Sequence, residues 1–330
     1  MVPDVAVALL AGGFATALGL VALVLVGTHR YQVYAHPNER SFHDLPKPTA
    51  GGIGFVLPVV AYLAWVAAAG APVALMLAAG GTALAVVGLW DDVREVSPLL
   101  RMALHLLAAG ALVAAAVPDW PWWMLGAATL ALAWQINLYN FMDGIDGIAG
   151  SQALVFLVGA QIVAGGVPGW SGDLAWLACG GALGFLVFNF PPARLFMGDV
   201  GSGFLGFLTG ALALLWWQQG LLHVVPSLIL LAGFWLDASY TLIVRLFTGQ
   251  PFTQAHRSHL YQKVAAKRGH SWTTAGFLLY AIVWLLPLAW LSARFPDEPG
   301  LLTWLWLVPA GLPVLIAAWR FRAGMPTDRG

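Results

Sequence analysis

A chain of 330 residues that is 60% hydrophobic and only 9% charged is not an ordinary soluble domain, where about a quarter of residues carry charge. A mean hydropathy of +0.80 and a formal net charge of zero point to an integral membrane protein and leave no room for a sizeable soluble domain. They also argue against nucleic acid or another polyanion as partner, and the one cysteine, Cys179, rules out an intrachain disulfide.

Eleven apolar runs follow one another: Val5–Val26, Gly51–Ala69, Val73–Leu89, Leu99–Val117, Trp122–Ile136, Ile148–Gly166, Leu174–Phe190, Gly201–Trp217, Leu221–Val244, Thr274–Leu291 and Leu301–Trp319. A membrane span needs about 20 apolar residues, so the pattern predicts one all-α polytopic domain over residues 1–330 with 10–11 transmembrane helices. The first run is too long for a signal peptide and lacks a basic segment before it, so it reads as a retained span. Glycines and tryptophans, 38 and 17 of them, suit close helix packing and interfacial belts.

The basic residues divide unevenly between the two sides. Of 15 lysines and arginines, all but Arg294 fall in loops after odd-numbered runs or at the C-terminus. The positive-inside bias makes those loops and the C-terminus cytoplasmic. The polar motifs obey the same division, whereas a transporter needs polar groups near the midplane.

Asn137, Asn140, Asp143 and Asp146 recur every third residue in NLYNFMDGIDGIAG, between two apolar runs. On a helical turn that spacing holds polar groups roughly on one side, and Gly144, Gly147 and Gly150 let backbone approach a ligand. Asp91 and Asp92 close the third run, and adjacent carboxylates need a cation or a basic group nearby. Magnesium on substrate phosphates and pairing with Arg94 and Arg101 both satisfy that need. Asp199, in the glycine-rich FMGDVGSG, suits either a metal beside an anion or a helix N-cap.

His256, Arg257 and His259 share the longest loop with Lys263, Lys267 and Arg268. They suit a diphosphate, although a basic loop facing anionic lipid has the same composition. Arg40, His43 and Lys47 precede the PTAGG turn, where they either neutralise phosphates or follow the positive-inside bias. Asp237, inside the ninth run, requires a partner, for which Arg245 or a site cation is expected. His29, His105, His223 and His270 read as structural or interfacial.

Taken together, PNERSFHDLPKPTAGG, the Asp91-Asp92 pair, NLYNFMDGIDG, FNFPPARLFMGDVGS, Asp237 with Arg245, and AHRSHLYQ occur in one order from Asn38 to about Gln262. In that order they resemble the polyprenyl-phosphate N-acetylhexosamine-1-phosphate transferases of glycosyltransferase family 4. AHRSHLYQ looks most like the O-antigen-initiating branch. KPTAGG departs from the TPTMGG of the peptidoglycan enzyme, which disfavours a pentapeptide-bearing donor.

The resemblance implies transfer of a sugar 1-phosphate from a UDP-N-acetylhexosamine to undecaprenyl phosphate, with UMP released and magnesium (or manganese) required. It implies Asp199 as metal ligand with Asn140 as a second, and Asp91 and Asp92 handling the lipid phosphate or its proton. Asp143 and Asp146 would bind the nucleoside, Asn189 and Phe196 would lie near the uracil, and His256, Arg257 and His259 would close over the diphosphate and sugar. The expected setting is the bacterial inner membrane with the active site at its cytoplasmic face, as a monomer or homodimer. The rival readings are a flippase of lipid-linked sugars, a phospho-MurNAc-pentapeptide transferase, and a non-catalytic membrane scaffold.

Overall fold

The computed structural model describes residues 3–31, 34–35, 47–94, 96–251, 256–295 and 301–326. Arg40 and His43 lie outside them. Every one of the eleven apolar runs forms a helix. These are α1 (Pro3–Tyr31), α2 (Ile53–Ala68), α3 (Pro72–Val93), α4 (Pro98–Ala116), α5 (Trp122–Met142), α6 (Ile148–Ala164), α7 (Gly169–Asn189), α8 (Asp199–Gln218) and α9 (Val224–Phe247). After a short polar helix, α10 (Leu260–Arg268), come α11 (His270–Ser292) and α12 (Leu302–Arg320). The only strands among the described residues are the two-residue pair Tyr34–Ala35 and Lys47–Pro48. The chain is thus an all-α integral membrane protein.

Eight of these helices are long and apolar enough to cross a membrane. Helices α2 and α6 are apolar but shorter, at 16 and 17 residues, and α5 has 21 residues with Gln135, Asn137 and Asn140 in its second half. Helix starts follow local chemistry. Pro72 and Pro98 occupy first-turn positions where a missing N–H costs nothing, and Ser97 Oγ caps α4 by accepting from Leu100 N–H at 3.3 Å. Two differences from the apolar pattern matter for function. Helix α5 continues past Ile136 to Met142, so Asn137 and Asn140 are helical while Asp143 ends the helix. Helix α10 lies inside the basic loop.

Helix α8 is the hub, touching α2, α3, α4, α5, α6 and α9, and most of it is buried, whereas most of α1 is not. Lipid offers no hydrophobic drive for helix association, so close van der Waals contact must supply it. Accordingly a Cβ at Gly206 of α8 would lie 2.8 Å from Gln135 O of α5, and Gly180 and Gly184 let α7 lie directly on the backbone of α1. Some polar groups inside the bundle tie helices together. Gln135 accepts from Trp235 Nε1 at 2.5 Å and donates to Thr209 Oγ1 at 3.0 Å, tying α5, α8 and α9 together.

Candidate active site

Two glycine-rich motifs far apart in sequence build the floor of the site. Phe196 N–H donates to Pro48 O at 2.8 Å, Gly51 N–H to Phe196 O at 2.9 Å and Gly52 N–H to Met197 O at 2.9 Å. The KPTAGG turn is therefore laid along the segment that leads into α8. Gly198, at φ +76°, makes the turn into that helix; any Cβ there would run into Asp92 Oδ2 and lie 2.9 Å from Thr49 Oγ1. Glycine is required on both counts.

Asp91 and Asp92 occupy the last turn of α3, where the helix dipole disfavours a carboxylate. Each is compensated. Asp92 Oδ1 and Oδ2 accept from the backbone N–H groups of Asp199 and Val200, at 3.0 and 3.5 Å, so α3 ends against the positive start of α8. Asp91 Oδ1 accepts from Val96 N–H at 2.6 Å. Its other oxygen receives Arg101 Nη1, which also donates to Asp199 Oδ2 at 3.0 Å. One guanidinium of α4 thereby joins the acidic end of α3 to that of α8. Asn140 of α5 completes the group by donating to Ser202 Oγ at 3.3 Å.

Arg101, Asn140 and Asp199 line an open cleft with Leu84 and Val87 of α3, His105 of α4 and Phe141 of α5. Asn137 lines the same cleft, but its amide donates to Ala133 O of its own helix at 2.8 Å.

Next to this centre lies a second group. Asp143 has its pKa raised well above 3.8, first by burial and then by the charges of Asp199, Asp92 and Asp146. Asp146 is buried too, which alone would raise its pKa, but its partners outweigh burial and hold the carboxyl below 3.8. Those partners are His270 Nδ1 at 3.1 Å, Ala193 N–H at 2.9 Å and Lys47 Nζ at 4.0 Å. Lys47 also lies over the Phe196 ring, 5.1 Å from its centroid. Buried Asn189 accepts from Gly147 N–H at 3.0 Å and donates to Leu195 O at 2.9 Å, pinning the two loops together.

The histidine segment joins the cleft through aromatic contact. His259 is 3% exposed and stacks at 6.2 Å on Phe141 and at 5.9 Å on Tyr261, with His256 5.0 Å away. Tyr261 OH donates to Phe141 O at 2.8 Å, while Arg257 is exposed. Asp237 does not pair with Arg245, against expectation. Its oxygens accept from Leu260 and Tyr261 N–H at 2.7 and 2.9 Å, with His259 Nδ1 at 3.7 Å. The open N–H groups and dipole of α10 satisfy the buried carboxylate. Arg245 turns instead to Gln250, Ser258 and Pro251.

Among the described residues no three His, Cys, Asp or Glu side chains converge as a ready metal cage. The donor chemistry nevertheless fits a hard cation. Magnesium commonly takes one or two carboxylates with the remaining positions left to water and phosphate. Asp199 and Asn140 offer such oxygens, at the place where Arg101 now supplies positive charge.

A model of glycosyl transferase family 4 matches residues 74–217, the segment holding Asp91, Asp92, Arg101, Asn140, Asp143, Asp146 and Asp199. The match covers less than half of the chain, and over that segment the protein is similar to glycosyl transferase family 4. It is 29% identical over 253 residues to a probable undecaprenyl-phosphate N-acetylglucosaminyl 1-phosphate transferase of Bacillus subtilis, covering 70% of this chain and 69% of that protein. With a decaprenyl-phosphate N-acetylglucosaminephosphotransferase of Mycobacterium leprae it shares 27% identity over 359 aligned positions, 93% and 88% of the two chains. With a phospho-N-acetylmuramoyl-pentapeptide-transferase of Acaryochloris marina it shares 33% over 231, 60% and 59% of the two chains.

Three residues at this site take parts that the sequence reading did not fully give. Arg101 pairs with Asp91 as one sequence reading has it and adds a bond to Asp199; His270 reads as structural or interfacial, and Asp237 as a partner for Arg245 or a site cation. The one available signal was for Arg101, ten residues after Asp91 across a single turn.

Proposed function

We propose that the chain transfers an N-acetylhexosamine 1-phosphate from a UDP-sugar to undecaprenyl phosphate, releasing UMP, at the cytoplasmic face of a bacterial membrane. The observation that carries this reading is the linking of Asp91 and Asp92 to Asp199 and Arg101, which with Asn140 line a cleft that also has Leu84, Val87 and Phe141 in its walls. A lipid phosphate requires both halves of that arrangement. The printed names of the Bacillus and Mycobacterium relatives describe the same type of reaction. The concentration of basic residues in odd-numbered loops supports the cytoplasmic side.

In this reading an undecaprenyl phosphate oxygen attacks the sugar-bearing β-phosphorus of the donor. The new P–O bond forms as the bond to the bridging oxygen breaks, and UMP leaves with that electron pair. The acceptor needs little deprotonation near pH 7, because the second pKa of a phosphomonoester is about 6. Alignment and charge screening therefore matter more than a strong base.

Arg101 offers its guanidinium to phosphate oxygens and keeps Asp91 from repelling the acceptor. Asp92 fixes the start of α8 and with it Asp199. A magnesium or manganese ion held by Asp199 and Asn140 would screen the diphosphate charge. Asp143, whose pKa burial and the neighbouring carboxylates raise, would face the nucleoside together with Asp146 and Phe196. Arg257 and His256 offset charge on the diphosphate from the loop side.

The test is a donor panel with purified protein, undecaprenyl phosphate and magnesium, following UMP release and the mass of the lipid product. Asp199→Asn is expected to abolish turnover; near-normal turnover would overturn its assignment as metal ligand. A protein that moves lipid-linked sugars without releasing UMP would be a flippase, and product only from UDP-MurNAc-pentapeptide would make it the peptidoglycan enzyme.

A further inference from the structure

Residues 256–258 have no regular secondary structure of their own, and His259 caps α10. The far end of the chain holds them. Helix α12 closes with Arg322 N–H on Trp319 O at 3.0 Å and Ala323 N–H on Ala318 O at 2.8 Å. Arg322 takes φ +55° to do so, at a position usually left to glycine.

The turn is then bonded to the histidine loop from several directions. Gly324 N–H donates to Ser258 O at 2.8 Å, and Gln250 Nε2 donates to Gly324 O at 2.8 Å. Lys263 Nζ, buried at 9% exposure, donates to Arg322 O at 2.6 Å and Met325 O at 2.9 Å. Ala323 packs with Leu260, Val314 and Ala318 in an apolar cluster separate from the main core. No side chain fits at Gly324, where φ is +81° and a Cβ would lie 2.8 Å from Thr241 O. The held residue, Ser258, in turn meets His256 Nδ1 at 2.9 Å and Arg245 Nη1 at 3.3 Å through its Oγ.

We infer that the turn 322–325 is a positioning clamp for His256, Arg257 and His259, working through Ser258 and Lys263. The inference rests on the proposed transfer reaction for what those three residues do once positioned. Lys263, Arg322 and Gly324 touch no substrate in this scheme.

The experiment compares Gly324→Ala, Lys263→Met and Lys263→Arg with the unaltered full chain. It reads hydrogen–deuterium exchange over 256–262, trypsin cleavage after Arg257, melting midpoint, and kcat and KM for UMP release. Both disruptive variants are expected to exchange faster over 256–262 and to lose about a hundredfold in kcat, the scale of a small misplacement of catalytic groups. The acceptor KM of Lys263→Met should hold, and Lys263→Arg should recover most of kcat.

Unchanged exchange and cleavage at 256–262 in Gly324→Ala and Lys263→Met would overturn the clamp, as would altered exchange with unaltered kcat. If the unaltered chain releases no UMP while the variants still loosen 256–262, the proposed reaction fails and the clamp stands.

Discussion

Arg101→Met removes the guanidinium that joins Asp91 to Asp199, and its cost can be bracketed from burial. Stripping one partner from a fully buried pair costs about 3–5 kcal/mol, whereas an exposed pair contributes about 0–1 kcal/mol. The side chain of Arg101 is 25% exposed, that of Asp91 14% and that of Asp199 31%. An intermediate loss of about 2 kcal/mol follows, or about 3 °C in melting midpoint for a chain of 330 residues. Magnesium should recover more of that loss in the variant than it adds to the wild type, because ligands that bind the folded state stabilise it.

Turnover should fall about a hundredfold, equivalent to about 2.7 kcal/mol of transition-state stabilisation. Arg101→Lys should lie between, since an ammonium presents a point charge where the fork spans two carboxylates. Thermal melting with and without magnesium, together with UMP release, reads all three outcomes. Wild-type turnover and an unshifted midpoint in Arg101→Met would refute the bridging role.

Two further predictions concern the buried carboxylates. Asp143 is raised above 3.8, so its folded form binds a proton more tightly than the unfolded chain, and its ionisation costs stability as pH climbs above that value. Asp143→Asn should therefore raise the melting midpoint at neutral pH, with the gain vanishing below pH 3.8, while donor binding weakens; a gain independent of pH would contradict this. Asp237→Ala leaves two N–H groups of α10 without their acceptor and should destabilise by about 3 kcal/mol. In a double-mutant cycle with Arg245→Met the coupling should stay under about 0.5 kcal/mol. A larger coupling would restore the pairing expected from sequence.

Span positions were legible because lipid demands long apolar runs, and that demand is written residue by residue. The end of α5 was not, because Asn137 and Asn140 break the apolar signal while the helix continues under tertiary contact. Helix α10 was hidden for the same reason, LYQKVAAKR being short and polar. At the site, Asp91, Asp92, Asn140 and Asp199 announced themselves by residue type and glycine context. Their pairings mostly did not, Asp91 with Arg101 excepted. Whether a carboxylate meets Arg101, a backbone N–H or His270 depends on which helix ends abut. That Asn189 pins two loops, and that Asp237 caps α10, follows from contacts between segments far apart in the chain.

The ladder between Pro48–Gly52 and Phe196–Met197 has a consequence for biogenesis. During synthesis the first strand of that ladder emerges long before its partner. Until the seventh helix is inserted, the amides of Gly51 and Gly52 must find water, because bare peptide groups are not tolerated in hydrocarbon. The nascent protein therefore keeps this turn at the bilayer surface and acquires its floor in a single late docking event. A ribosome-stalled intermediate lacking the ladder's second half would be inserted but without a site.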